Sequence, residues 1–451
     1  MAHEPKLSDS TWTRVRHSKF VPCGLLLLLL DGIIVLVPAT SAQDQVPGWQ
    51  TVPTLGAFYQ RFLTPAVYDP THARFLLFGG AGEYPIIYGD TIAFYPSNNT
   101  FVSMNPTVHP SPRYAPAVSF DEACDCAVLF GGAYKQNGIE AVYNDTWLYF
   151  PSNDSWTRVP TGIAPSARHL TAMMYDSSAR VNLLFGGTDN LTYNDLWGFN
   201  TSRPGWTLLE NHTLTPNLTD QPLNRFAFGM APAVGSNSFL IFGGGAFNPK
   251  SMRYFVYNDT WVYSNSEQRW SNLTSGVHPS GRTFSAMASA TGYGLTLLFG
   301  GSAGADPFAT NNYLSDTWVF DQNTGTWYEL NITGPPALFG ASLGYDPIGK
   351  SFLLFGGEGE GEISSAVWRL NVSVILSLIG NMATTTATST VTKTLTVQST
   401  ITGPTSTTTT TSLVIKTNSI LPTWAYGIMA VLLIVGVAVG YIIRRPSLSK
   451  P

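Results

Sequence analysis

The chain has 451 residues, 24 Lys and Arg against 28 Asp and Glu, and a formal net charge of -4, which leaves no electrostatic basis for holding nucleic acid or an anionic lipid surface. Charged residues are 12% of the total, about half the usual share, and Ser, Thr, Asn and Gly take the polar positions instead. Three cysteines, one of them Cys23 near the start, are too few for a disulfide framework to hold an exported domain of this size.

The first predicted element is a leader. Lys6, Arg14, Arg16 and Lys19 precede the apolar runs LLLLLL and IIVLV, and PATSA ends at Ala42, so residues 1–42 read as a secretory signal peptide. Asp31 interrupts the apolar segment and would cost a spanning helix about 3 kcal/mol at its centre, which argues against a retained anchor.

From residue 43 to 382 one pattern recurs six times. Each copy has an apolar run closed by a glycine doublet: FLLFGG at Gly79-Gly80, AVLFGG at Gly131-Gly132, NLLFGG at Gly186-Gly187, FLIFGG at Gly243-Gly244, TLLFGG at Gly300-Gly301 and FLLFGG at Gly356-Gly357. The doublets are evenly spaced along the chain. A period near fifty, built from short apolar runs with turn residues between them, predicts an all-β, six-bladed propeller with one four-stranded blade per copy.

Within each copy an Asp-x-Trp pattern follows the doublet at Asp145/Trp147, Asp195/Trp197, Asp259/Trp261 and Asp316/Trp318, weakened to Asp90/Ile92 and Ala366/Trp368. A second aromatic stands at one fixed interval beyond the Asp, at Phe101, Trp156, Trp206, Trp270 and Trp327. Apolar run, GG, the Tyr of YNDTW and a spaced Trp together resemble the kelch family over residues 46–371, a likeness made specific by its repetition. The sixth copy has Ser377 where that aromatic belongs, and Trp49 in VPGWQTV is the candidate replacement, an N-terminal strand that closes the last blade. The apolar stretch Val374 to Gly380 competes for the same place.

An Arg precedes the first glycine at a constant interval in five copies, at Arg61, Arg113, Arg168, Arg225 and Arg282, with Leu338 in the sixth. The gap from glycine to Asp varies instead, shortest from Gly186 to Asp195 and longest from Gly243 to Asp259 and from Gly300 to Asp316. Because strands alternate in direction, the second-to-third turns and the between-blade connections share one face of the ring, and all the length variation falls there. Variable loops on a rigid scaffold are where binding usually lives. The kelch resemblance implies that the five arginines line a ligand pocket at the channel mouth, which would suit a carboxylate, sulfate or phosphate. The structural alternative pairs each Arg with Asp90, Asp145, Asp195, Asp259 or Asp316 to tie blades together. Further candidates for ligand contact lie in the irregular loops: Tyr84, Tyr88, Phe247, Lys250, Arg253, Tyr254, Asp306 and Phe308.

The C-terminal part is of another kind. Residues 383–420, rich in Ser and Thr, read as an extended stalk, and 421–443 as a transmembrane helix followed by a short cytoplasmic tail at 444–451. Trp424 and Tyr426 suit one interface, Arg444 and Arg445 the cytoplasmic side, and Gly436 and Gly440 form a GxxxG pair suited to a homodimer. Sequons at Asn98, Asn153, Asn190, Asn200, Asn211, Asn217, Asn272, Asn331 and Asn371 are candidate glycosylation sites, beside two at Asn144 and Asn258 that belong to the repeat itself. No HExxH pair occurs, and no cofactor is implied. A copper oxidase of the galactose oxidase type shares the kelch propeller, but its histidine, tyrosine and cysteine ligands have no counterpart here. The expectation is a non-enzymatic, single-pass cell-surface protein that binds an extracellular protein or glycan. The alternative is a surface carbohydrate-active enzyme.

Overall fold

The computed structural model describes residues 29–30, 33–34, 48–211, 220–235, 238–248, 252–304 and 312–380. The chain divides into two units, Met1–Val46 and Pro47–Pro451. In the first, the described residues are two short strands, Leu29–Leu30 and Ile33–Ile34, paired antiparallel inside the expected leader. The expected stalk, transmembrane helix, tail and Gly436/Gly440 pair lie outside the described residues, as do Lys250, Asp306, Phe308 and Asn217. No helix among the described residues is long and apolar enough to cross a membrane.

In the second unit, the described strands form six antiparallel blades in sequence order. Blade 1 comprises Ala66–Asp69, Arg74–Phe78, Thr91–Tyr95 and Thr100–Met104, counted from the channel outward. Blades 2 to 5 occupy 117–159, 172–210, 229–272 and 282–329, and blade 6 begins at Ser342–Asp346. The second strands carry unbroken apolar runs because neighbouring blades cover both of their faces: every residue of Arg74–Phe78 and of Cys126–Phe130 is buried. Outer strands are partly exposed instead, as in Ser155–Val159, where Trp156 and Val159 are buried and Thr157 and Arg158 are exposed.

Each outer aromatic locks its blade to the one before. Trp156, Trp206, Trp270 and Trp327 pack against Phe78, Phe130, Phe185 and Phe242, the last apolar residue before the preceding blade's doublet, at centroid distances of 4.9 to 5.2 Å. The indole N–H groups of Trp156, Trp206 and Trp327 also donate to the preceding blade's Thr91, Thr146 and Thr260 at 2.9 Å. Trp270 faces Leu196, which has no hydroxyl, and donates to Glu210 instead at 3.0 Å.

Trp49 supplies the missing aromatic of blade 6. Gln50–Thr51 pairs with Trp368 and Arg369 of the third strand, Val367–Asn371, while Trp49 stacks edge-on to Phe299 and donates to Thr317 of blade 5 at 3.0 Å. Residues 372–380 form a helix rather than a competing strand, and its Val372 and Ile375 are buried in the same cluster as Trp49, Leu330 and Leu370. That helix starts on the face of the first-to-second turns, since Asn371 pairs with Ser351 and Val372 N–H donates to the Lys350 carbonyl. Blade 1 carries Phe101 where the others carry Trp, and its partner position in blade 6 is Val367. An N–H is absent where no hydroxyl waits for it.

Candidate functional site

The five arginines are 0 to 1% exposed, among the most buried large side chains of the described residues. Each makes four or five hydrogen bonds. In blade 2, Arg113 Nη1 donates to the Gly131 carbonyl at 2.8 Å and to Asp145 Oδ1 at 2.5 Å, Nη2 to Asp145 Oδ2 at 3.0 Å, and Nε to the Ser111 carbonyl at 3.0 Å. Arg61, Arg168, Arg225 and Arg282 repeat this fork on Asp90, Asp195, Asp259 and Asp316. The carboxylate also accepts from its own Asp-x-Trp indole, as in Trp147 Nε1 to Asp145 at 2.8 Å, which explains the spacing of that motif. Tyr88, Tyr143, Tyr193 and Tyr257 stack over the guanidinium planes at 3.9 to 4.6 Å. Burial would raise the Asp145, Asp259 and Asp316 carboxyls, but the charge and hydrogen bonds of Arg113, Arg225 and Arg282 outweigh it and hold them below the usual range.

This layer therefore presents no free fork to a ligand, and the expected anion pocket is replaced by a latch. The pairing is also internal to a repeat, since Arg113 leads into the first strand of blade 2, which carries Gly131 and Asp145. Blades are tied through the backbone of the same residue: Arg113 N–H donates to the Tyr88 carbonyl of blade 1 and its carbonyl accepts from Gly80 N–H. The close approach explains the doublet. Gly131 has φ of 69°, and a Cβ there would lie 2.5 Å from the next blade's Arg168 oxygen.

Two positions beyond each arginine the chain closes the channel. Leu63, Ala115, Leu170, Ala227, Phe284 and Gly340 all have positive φ and pass N–H to carbonyl around the ring, each to the blade before, at 2.7 to 3.2 Å. Behind this ring a cavity of about 1030 Å³ runs along the innermost strands to the first-to-second turns at Pro70, Glu122, Ser177 and Pro347. On the outer side of the ring sit Phe62, Tyr114, His169 and Phe226, which follow arginines, and Phe339, which follows Leu338. They form an aromatic floor with Tyr254 and Tyr313, and Phe339 stacks on Tyr313 at 5.4 Å. Burial pushes the His169 imidazole down and the Tyr313 hydroxyl up to about 12. Sequence reasoning missed this floor. Its signal was present, an aromatic or His directly after the arginine position in five of six copies.

Around the floor stand the variable loops. Blade 2 carries a hairpin, Ala133–Gln136 with Ile139–Val142, and blade 4 another, Gly245–Asn248 with Arg253–Val256. Blade 5 extends its second and third strands instead, as Leu295–Ala303 and Tyr313–Asp321. Of the expected contact residues, Tyr84 is 75% exposed, Arg253 is exposed, Phe247 packs on Tyr254 at 5.0 Å, and Tyr88 is occupied with Arg61. Exposed apolar tips at Ile86, Ile139, Leu191, Met252 and Phe255 were not anticipated. Asn98, Asn153, Asn190, Asn211, Asn272 and Asn331 are exposed, Asn200 and Asn371 half-buried.

The histidines and cysteines do other work. His109 and His278 each bring Nδ1 to 3.0 Å from the carbonyl of the proline that follows. No group of three or more His, Cys, Asp or Glu among the described residues could hold a metal. Cys124 and Cys126 are joined by a disulfide across one turn.

The KLHDC2/KLHL20/DRC7 Kelch-repeats domain matches residues 44–221 and 212–357. The chain belongs to the kelch-repeat family. A kelch propeller is a scaffold for binding proteins, and this one is similar to part of the Dynein alpha chain, flagellar outer arm, of Chlamydomonas reinhardtii, with 28% identity over 228 residues. That likeness covers 47% of this chain and 4% of the dynein chain.

Proposed function

We propose that this kelch chain is a single-pass surface protein whose propeller holds a partner protein on its variable face, without catalysis. The observation that carries the reading is the distribution of exposed apolar side chains. Among the described residues, Tyr84, Ile86, Ile139, Leu191, Met252 and Phe255 are exposed on second-to-third loops, and Tyr59, Val108, Ile163, Leu223 and Val277 on between-blade connections. The opposite side exposes fewer: Val234 and Ile348 on first-to-second turns, Leu55 beside Thr100, and Leu376 on the helix. Clusters of exposed apolar groups on one face mark protein interaction sites, and the buried arginines argue against a small-anion pocket on it. The leader, the apolar C-terminal segment, the exposed sequons and the turn disulfide support an extracellular setting. Departure of the chain through the helix at 372–380 on the opposite face supports display of the variable face away from a membrane.

The test is capture. The full-length protein on a cell surface should retain a partner that is lost when the blade 2 and blade 4 hairpins are cut to short glycine-containing turns. Retention by the trimmed protein, or capture abolished only by changes at the first-to-second turns, would refute the reading. Binding to a glycan array with no protein captured would move it to the carbohydrate class.

A further inference from the structure

The variable face is uneven in a regular way. The second-to-third segments of blades 3 and 6 are the shortest, Gly186 to Asp195 and Gly356 to Ala366, and these two blades lie opposite each other in a ring of six. Between them on one side stand the loop of blade 1 and the hairpin of blade 2, joined where Gln136 Nε2 donates to the Pro85 carbonyl at 2.8 Å. On the other side stand the hairpin of blade 4 and the lengthened strands of blade 5. The low blades therefore define a trough across the diameter, floored by the aromatic residues that cap the channel. Its walls carry Tyr84, Ile86 and Ile139 on one side and Phe255 on the other, all 46 to 75% exposed.

The blade 6 end carries more acid than the blade 3 end, whose short loop holds Asp189. At the blade 6 end Glu358, Glu360 and Glu362 stand within one short loop, with Glu83 exposed on neighbouring blade 1. Among the described residues of blades 1 and 6 no Lys, and no Arg other than the buried Arg61, lies on the variable face. Glu358 exchanges backbone hydrogen bonds of 2.8 Å with Phe339, which places it at the edge of the floor. Glu358 is half-buried and pairs with no guanidinium or ammonium among the described residues, and burial raises its carboxyl against the hydrogen bond from Tyr313.

We propose that this trough takes an extended, basic polypeptide segment of a partner protein, laid between blades 3 and 6 with an apolar side chain on the aromatic floor and its Lys or Arg residues at the acidic blade 6 loop. An extended strand rises about 3.3 Å per residue, so a segment of about ten residues spans such a face. The proposal rests on the reading of the variable face as the protein-binding surface and names the chemistry that surface selects.

The experiment selects a random-peptide display library on the full-length protein. Enriched peptides should share Lys or Arg clustered at one end and Leu, Ile or Phe near the centre. With E358Q, E360Q and E362Q combined, the basic cluster should vanish from the selection and the affinity of the best wild-type peptide should fall roughly tenfold. Raising salt from about 0.05 M to about 0.5 M on the unaltered protein should weaken that peptide in the same direction, which serves if the triple variant folds poorly. Enrichment of acidic or unpatterned peptides, no enrichment at all, or an affinity indifferent to both salt and the three substitutions would overturn the proposal. If hairpin trimming abolishes partner capture while the triple Gln variant leaves capture intact, the face binds protein but does not select a basic strand.

Discussion

Blade 6 and the other five follow the same backbone path with different chemistry inside it. Leu338 exchanges the same interblade hydrogen bonds with Leu314 and Gly301 that Arg113 exchanges with Tyr88 and Gly80, yet its side chain is apolar and 2% exposed. Its latch partner is missing too: Ala366 stands where the others have Asp, and Trp368 Nε1 is consequently buried without an acceptor. The ring therefore requires the backbone of that position, and the guanidinium is a stabiliser that comes and goes together with its carboxylate. A cation kept for ligand binding would have no reason to disappear with its internal partner.

The comparison breaks most readily at a single latch. Arg113→Leu leaves the largely buried Asp145 carboxylate with the Trp147 hydrogen bond but without its opposite charge and should cost about 3–5 kcal/mol, while R113L with D145A, the blade 6 combination, should recover most of that in chemical denaturation. A loss below about 1 kcal/mol for the single variant would mean that the latch contributes little. Gly131→Ala tests the backbone tie common to all six blades, and a strained φ together with the clash against Arg168 should cost about 2 kcal/mol or more. Acid probes latches collectively. The carboxyls of Asp145, Asp259 and Asp316 are depressed in the fold, so their contribution is complete above the unfolded value of about 3.9 and is lost as pH falls through the lower folded values. Thermal melts between neutrality and about pH 2 should show a progressive fall that a protein with two latches converted to the blade 6 pair shows less.

Smaller effects sharpen the contrast at the blade 6 to blade 1 seam. Trp49→Phe removes one buried indole N–H from Thr317 and should cost about 1 kcal/mol, whereas Phe101→Trp gains nothing unless Val367→Thr is introduced with it, a coupling that a double-mutant cycle measures. The smallest change in stability is expected on the variable face, where Ile139→Ser should leave the denaturation midpoint within about 0.5 kcal/mol of wild type while reducing partner capture.

Much of the fold was readable because it repeats. Six doublets at near-constant spacing declared six blades, and the one missing Trp pointed to Trp49 as the closing strand. The candidate site was less readable. The five arginines stood on the correct face, but nothing in their spacing said whether their side chains turn toward the channel or back onto Gly131 and Asp145 and their equivalents. The aromatic floor was visible as letters after five of the six arginine positions and was overlooked beside the arginines themselves. Ile139 and Phe255 were unremarkable in a chain rich in apolar residues until the hairpins that expose them were placed.

By itself the sequence determined the blade count and the face on which lengths vary, because both follow from period and from the alternation of strand direction; the choice of Trp49 over Val374 to Gly380 to close the ring came from the structure. Tertiary structure alone decided that the arginines are latched within their own blades and that the channel mouth is shut by the residues two positions on. These outcomes depend on which of several groups sharing one face is buried when six blades meet around an axis, and no property of a single copy contains that meeting.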